Sequence, residues 1–186
     1  MSIFVYPLTI SSAASGLIFL WLFNSQIGID VILGKLHLPQ PNWLAGQNMF
    51  YSIILILLWM YSGIAMLFYL ASFMNIDKSI IEAAYIDGAS YFKIFWKILV
   101  PNSMTSFIIS TTMLFLFAFR VFTIPYLVAG GFLNYYSETL LTYEYDLFYS
   151  SYFAQSAAVS IIVFIIAAAV VIPYALLGIK RWVYGQ

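Results

Sequence analysis

Charged side chains, the usual components of catalytic and metal sites, are concentrated in one short part of this sequence. Three acidic residues and three lysines lie between positions 77 and 97, in and beside the stretch EAAYIDGASYFKIFWKILVP at 82–101. An enzyme acting inside a membrane would instead need a nucleophile, a base or metal ligands clustered within its apolar segments. The only charged candidate there is Arg120, so we predict no catalytic residue.

Composition excludes three further kinds of chemistry. The chain has no cysteine, and its single histidine, His37, cannot build a metal site alone, so we predict no metal site. No G-x-x-x-x-G-K-[ST] run occurs, so ATP hydrolysis is not expected in this chain. The net charge is zero, which argues against nucleic acid as a partner, because binding phosphates needs a surplus of Lys and Arg.

The hydrophobicity of the chain places it in a lipid bilayer. Of its 186 residues, 64% are hydrophobic and only 8% are charged, whereas a soluble domain carries about 25% charged residues. A helix needs roughly 20 apolar residues to span the hydrocarbon, and four charge-free segments are long enough. They are residues 3–23, 49–73, 102–122 and 154–179. We predict an all-α membrane protein of about four transmembrane helices, with residues 1–186 in a single domain.

The distribution of basic residues predicts the orientation. The segment 75–101 holds three lysines, and the tail after the last span holds Lys180 and Arg181, whereas the segment 124–153 has no basic residue. Lys and Arg are enriched in cytoplasmic loops, and two spans separate the two basic regions. Both regions are therefore expected in the cytoplasm, together with both termini, in a multi-pass protein of the cell membrane.

The charged segment begins with signals for a short helix. Asp77 can cap a helix that starts at Lys78, and Ser79 with Glu82 three residues later offers an overlapping capping box. Either start gives a helix that reads KSIIEAAYID.

A turn and a second helix are predicted to follow. Gly88 is unfavourable inside a helix and suited to a reversal of the chain, so the first helix should end near Asp87. The second is expected to start at Ser90 and run through YFKIFWKILV, with Pro101 separating it from the third span. The product is a compact helix–turn–helix whose shape suits the groove of a partner protein.

Residues 82–101 also follow a wider pattern: E-A-A, three residues, G, nine residues, and I-x-x-P. This pattern resembles the cytoplasmic EAA loop of ABC importer permeases, and IDGAS at 86–90 resembles the sugar-importer branch, of the maltose and glycerol-phosphate type. The residues that match the pattern are Glu82, Ala83, Ala84, Gly88, Ile98 and Pro101.

The resemblance implies a transport subunit with no cofactor and no catalysis of its own, importing a sugar or related polyol. In such permeases the EAA loop docks into a cleft of an ATPase dimer, which binds the ATP and drives the movement. The coupling residues would be those of the pattern together with Asp87. The other implied partners are a second permease subunit and an extracytoplasmic solute-binding protein.

The family's core has six spans, so the four predicted here would begin near the family's third. We expect that the first two are missing through a truncated reading frame or are encoded separately, or else that the permease is minimal. A permease for a non-sugar solute and a truncated, non-functional fragment are the alternative interpretations.

A substrate path is expected near the outer end of the third span. Arg120 lies there, and its alternative role is to extend towards the membrane interface. The AGG at 129–131 resembles the family, and Tyr126, Gly130 and Gly131 are assigned with Arg120 to this path.

The outer segment also contains acidic and aromatic residues. The acidic residues either bind the receptor protein or are solvated loop charges, and most aromatic residues should face lipid or the interface. The acidic residues are Glu138, Glu144 and Asp146.

Overall fold

The computed structural model describes residues 2–131 and 134–184. Every regular element within those ranges is helical, which confirms the predicted all-α class. In chain order the elements are α1 (Ser2–Val5), a 3₁₀ turn (Tyr6–Thr9), α2 (Ser12–Leu22), α3 (Ile29–Lys35), α4 (Gln47–Met74), α5 (Lys78–Ile86), α6 (Tyr91–Ile94), a π turn (Phe95–Leu99), α7 (Val100–Asn102), α8 (Met104–Phe119), α9 (Thr123–Val128), α10 (Leu140–Tyr149) and α11 (Phe153–Tyr184).

Three of the described helical segments are long and apolar enough to cross a bilayer, and a fourth, bent segment has the composition of a span. The three are Gln47–Met74, Ser106–Val128 and Phe153–Leu176, and the bent pair is Ile3–Thr9 with Ser12–Leu22. Counting the bent pair gives the four spans that the sequence predicts. The last helix does not stop at Pro173, but continues through it to Tyr184.

The first predicted span differs from expectation because it is not one straight helix. Its two parts meet at an angle of 114°. Pro7 favours the start of the tight 3₁₀ turn, and Ser11 then adopts an extended conformation and accepts a hydrogen bond from the Ala14 N–H. Since an N-cap residue must be non-helical, Ser11 starts a new helix.

The chain divides into two compact units, Met1–Gly63 with Phe117–Ala167, and Ile64–Leu116 with Ala168–Gln186. The first unit is built on the packing of α2 against α9. Gly16 of α2 lies at this contact, where a Cβ would lie 2.9 Å from the mobile Leu127 Cδ1. Ile56 and Ile124 are fully buried in the same cluster. Small residues that allow close helix approach are typical of membrane proteins.

A buried carboxylate fixes the connection between α3 and α4 in the first unit. Asp30 is only 1% exposed, and its Oδ1 accepts a hydrogen bond of 3.0 Å from the Trp43 Nε1–H. The Trp43 ring stacks on Phe23 at 5.2 Å, while Ser52 donates to the Trp43 carbonyl at 2.8 Å. These contacts hold the connection against the end of α2.

In the second unit, aromatic rings pack the charged segment against the end of α4. Phe73 meets Phe95 edge to face at 6.0 Å, and Tyr69 lies 6.2 Å from Phe107 of α8. The sequence predicts that Pro101 separates the second short helix from the third span, and the structure has the interruption two residues later. The helical path runs through Pro101 to Asn102 and is interrupted at Ser103.

The position of Pro101 explains why the proline is tolerated. Proline has no N–H, and its ring clashes with the carbonyl four residues earlier in the interior of an α-helix. Pro101 lies in the first turn of α7, directly after the wider turn over Phe95–Leu99, and proline is tolerated in a first turn. The Asn102 side chain also donates to the Ile98 carbonyl at 2.7 Å.

Gly63→Ala should destabilise the first unit. A Cβ at Gly63 would overlap the Phe4 carbonyl oxygen, which belongs to the backbone and cannot rotate away. We expect a loss of about 1–3 kcal/mol, as for other overpacked sites, measured as a lower unfolding temperature in detergent. Gly16→Ala is the control, because the nearest atom there is the mobile end of Leu127. Equal stability of the two variants would contradict the packing.

Asp77→Ala should loosen α5, whereas Asp77→Asn should not. The Asp77 carboxylate accepts the Ser79 N–H at 2.9 Å, and this backbone hydrogen bond lowers the pKa of Asp77. The cap therefore stabilises the helix at neutral pH and is lost only as the pH falls through the lowered pKa. Amide exchange over 78–86 at pH 7 should be several-fold faster in the alanine variant. Asparagine is an equally good cap and should leave exchange unchanged.

Candidate functional site

The first part of the charged segment forms the helix that the sequence predicts. Helix α5 covers Lys78–Ile86 and is capped by Asp77 rather than by a Ser79–Glu82 box. Glu82 and Ala83 are exposed and Ala84 is half-buried. The structure thus presents the E-A-A residues at the surface of the chain. Their role in coupling remains a prediction.

The turn at Gly88 is closed by a complete set of backbone hydrogen bonds. The Gly88 N–H donates to the Tyr85 carbonyl at 3.0 Å, and the Ala89 N–H donates to the Ala84 carbonyl at 2.9 Å. This pair of bonds is a Schellman motif, which requires a left-handed residue, and Gly88 has φ +73°. A Cβ at Gly88 would meet no atom within 4 Å. The turn therefore needs glycine for its conformation and leaves open space beside it.

Large apolar side chains surround this turn and are exposed. Ile86 is 87% exposed, and on α6 Tyr91 and Phe92 are 74% and 73% exposed. Of the other predicted coupling residues, Ile98 is half-buried in the π turn and Pro101 is exposed. Exposed apolar patches rimmed by polar residues mark sites of contact with proteins or membranes.

The predicted substrate-path residues lie in the other unit, and the structure brings only some of them together. Tyr126, on α9, stacks against Phe122 at 5.3 Å. Gly130 and Gly131 have φ +75° and +81°, and a Cβ at Gly131 would lie 3.8 Å from the Tyr126 hydroxyl. Arg120 is exposed in the break between α8 and α9, and within the described ranges it forms no ion pair. Tyr126 and Gly131 are thus neighbours, while Arg120 is not joined to them by any hydrogen bond in the described residues.

Tyr145 of α10 completes an aromatic cluster that the sequence analysis did not predict. Its ring lies 5.0 Å from Phe122 and 5.6 Å from Tyr126, and it stacks on Tyr149 at 6.2 Å. Electrostatic repulsion by Tyr126 is the main reason why the pKa of Tyr145 is raised. The Tyr145 hydroxyl, like that of any tyrosine, can donate a hydrogen bond at neutral pH. The four-residue spacing of 122/126 and 145/149 is a signal that could have indicated the cluster.

A cavity of about 270 Å³ adjoins this cluster. Glu144 in its wall is half-buried. Its carboxylate accepts a hydrogen bond from the Ser160 hydroxyl, and its main-chain oxygen accepts one of 3.2 Å from Ser156. The lining residues are Phe122, Leu141, Glu144, Tyr145, Phe148 and Ser156. In the part of the chain that the structure describes, no group of three His, Cys, Asp or Glu could hold a metal ion.

Comparison with known proteins agrees with this geometry. Residues 1–179 match the family model described as "Binding-protein-dependent transport system inner membrane component". The chain is 53% identical over 184 residues to the glucose import system permease protein GlcT of Saccharolobus solfataricus, covering 98% of this chain and 64% of that one. It is 28% identical to the xylose/arabinose import permease protein XacH of Haloferax volcanii, covering 93% and 56%.

Solved structures show the same fold. A bacterial ABC transporter involved in the import of the acidic polysaccharide alginate matches with a TM-score of 0.75 at 18% identity, over 96% of this chain and 64% of that one. The chain thus spans about 56–64% of the length of these relatives. The family match over residues 1–179 confirms the resemblance drawn from the EAA pattern. The chain belongs to the family of binding-protein-dependent transport system inner membrane components.

Proposed function

We propose that this chain forms part of the membrane pathway of an ATP-driven importer and that the α5–Gly88–α6 elbow receives the driving force. The elbow is defined by Lys78–Ile86, the turn at Gly88 and Tyr91–Ile94. The observation that carries the proposal is the Gly88 turn, which is rigidly bonded yet has open space beside it. A rigid turn transmits movement of a docked partner to the helices on either side.

The partner proposed at the elbow is the ATPase dimer, which alone binds the ATP. The chain carries no P-loop pattern, so the energy must be supplied by another polypeptide. The exposed Glu82 and Ala83, with the apolar Ile86, give the elbow a mixed surface of the kind that docks into a protein cleft. On this proposal the elbow and both termini are cytoplasmic.

The proposed cargo is a sugar or a related polyol. The relative that is 53% identical is named as a glucose import permease, and another as a xylose/arabinose import permease, which supports this class. We further propose a second permease subunit and an extracytoplasmic solute-binding protein as partners. In support, one structure with the same fold is an alginate transporter in complex with a periplasmic protein that holds an alginate pentasaccharide.

Gly88→Leu should abolish ATP-dependent uptake while the protein still inserts in the membrane. The added side chain occupies the open space where the ATPase is proposed to dock, and it also strains a φ of +73°. Gly88→Asn separates the two effects, because asparagine tolerates the left-handed conformation. Loss of uptake in both variants indicates a steric block, whereas uptake of radiolabelled glucose by both would contradict docking at this turn.

Glu82→Lys should reduce capture of the ATPase at least several-fold without changing the unfolding temperature. The side chain is exposed, so a reversed charge acts on a docked partner and not on the fold. The measurement is affinity purification from native membranes, with mass spectrometry to identify a co-purified polypeptide that carries a P-loop. Glu138→Lys is the control, since Glu138 is also exposed but lies outside the elbow. Equal capture by both variants would count against the proposal.

A further inference from the structure

We propose that the cavity between α10 and the start of α11 is a subsite for a single neutral sugar ring. The inference rests on the proposed function, which it deepens by naming the chemistry and the residues of one binding position. The cavity is lined by three aromatic rings, one carboxylate and one serine, together with Leu141. Ligand sites commonly combine an apolar, aromatic wall with a few polar groups that fix orientation.

The aromatic wall matches the apolar face of a sugar ring. Tyr145 and Phe148 are both exposed on α10, and Phe122 is half-buried behind them. Phe148 meets Phe153 edge to face at 5.3 Å, and Tyr145 is held by Phe122 and Tyr126. The rings are therefore fixed before any ligand arrives, which lowers the entropic cost of binding. A pyranose presents C–H groups on its faces, and these pack against such rings.

Glu144 provides the polar partner for the hydroxyl groups of the sugar. One of its carboxylate oxygens is held by the Ser160 hydroxyl, and within the described ranges the other oxygen accepts no hydrogen bond. Hydrogen bonds to a charged acceptor are roughly twice as strong as neutral ones. A carboxylate with no described ion-pair partner disfavours an anionic ligand. The site therefore suits a hydroxylated ligand that carries no negative charge.

The cavity has room for one sugar ring. Its volume is about 270 Å³, just below the roughly 300–1,000 Å³ of sites for drug-sized ligands, and it is open to the surface. A monosaccharide fits such a volume. Exposed tyrosines at a membrane interface can also serve simply as anchors, and this is the alternative that the experiment must separate.

The test is equilibrium binding of tritiated D-glucose and D-xylose to the full chain in nanodiscs, read by scintillation proximity. Tyr145→Leu removes a ring from the wall and should weaken binding at least tenfold. Tyr145→Phe keeps the ring and should bind within about threefold of the unaltered chain, because the ring supplies most of the contact in an aromatic-lined site. Glu144→Gln still accepts the Ser160 hydrogen bond but has no charge, and should weaken binding several-fold.

Asp146→Asn is the matched control, because Asp146 is the neighbouring carboxylate on the same helix and does not line the cavity. It should bind both sugars as the unaltered chain does. No saturable binding of either sugar, or equal binding by Tyr145→Leu and the unaltered chain, would overturn the subsite. The ATPase-capture assay reads the proposed function independently. Capture without sugar binding rejects the subsite alone, and sugar binding without capture rejects the ATP-driven function alone.

Discussion

The structure depends on one constraint: inside hydrocarbon, each backbone N–H and C=O must find its partner within the chain. Helices meet that requirement along their length but leave free groups at their ends. Four of the described helix starts, inside and outside the predicted spans, have a side-chain partner for these groups, whereas the starts of α3 and α9 have none. Ser11, Asp77, Ser90 and Thr139 each accept a hydrogen bond from a backbone N–H at the start of a helix. At these four starts, a short polar side chain takes over the bonding.

The two parts of the molecule that carry functional proposals are held together by different kinds of contact. At the Gly88 elbow, backbone N–H and C=O groups pair with each other through the Schellman hydrogen bonds. The side chains of the elbow form an exposed surface that is partly polar and partly apolar. The aromatic cluster is instead held by ring contacts among Phe122, Tyr126 and Tyr145. The first is a stiff backbone feature suited to transmitting force. The second is a side-chain surface suited to holding a small molecule.

Features that act over a few residues could be read from the sequence, while those that depend on distant segments could not. The Asp77 cap, the end of α5 and the Gly88 turn each involve atoms within five residues, so their signals are local. The bend at 10–11 was missed, although Ser11 is a local capping signal, because the charge-free stretch continues through it. The approach of Tyr145 to Phe122 joins positions 23 apart in the chain. Composition predicts many aromatic residues, but not which of them meet.

The π turn over Phe95–Leu99 has a consequence for how the chain tolerates changes in length. Each residue of an α-helix advances the rotation by about 100°. One residue more or fewer between Gly88 and Pro101 would therefore rotate the following helix, α8, about its axis by over a quarter of a turn. Its lipid-facing side would then point elsewhere. The number of residues between Gly88 and Pro101 thus fixes the rotation of the next helix about its axis. Substitutions in this interval are therefore easier to accommodate than insertions or deletions.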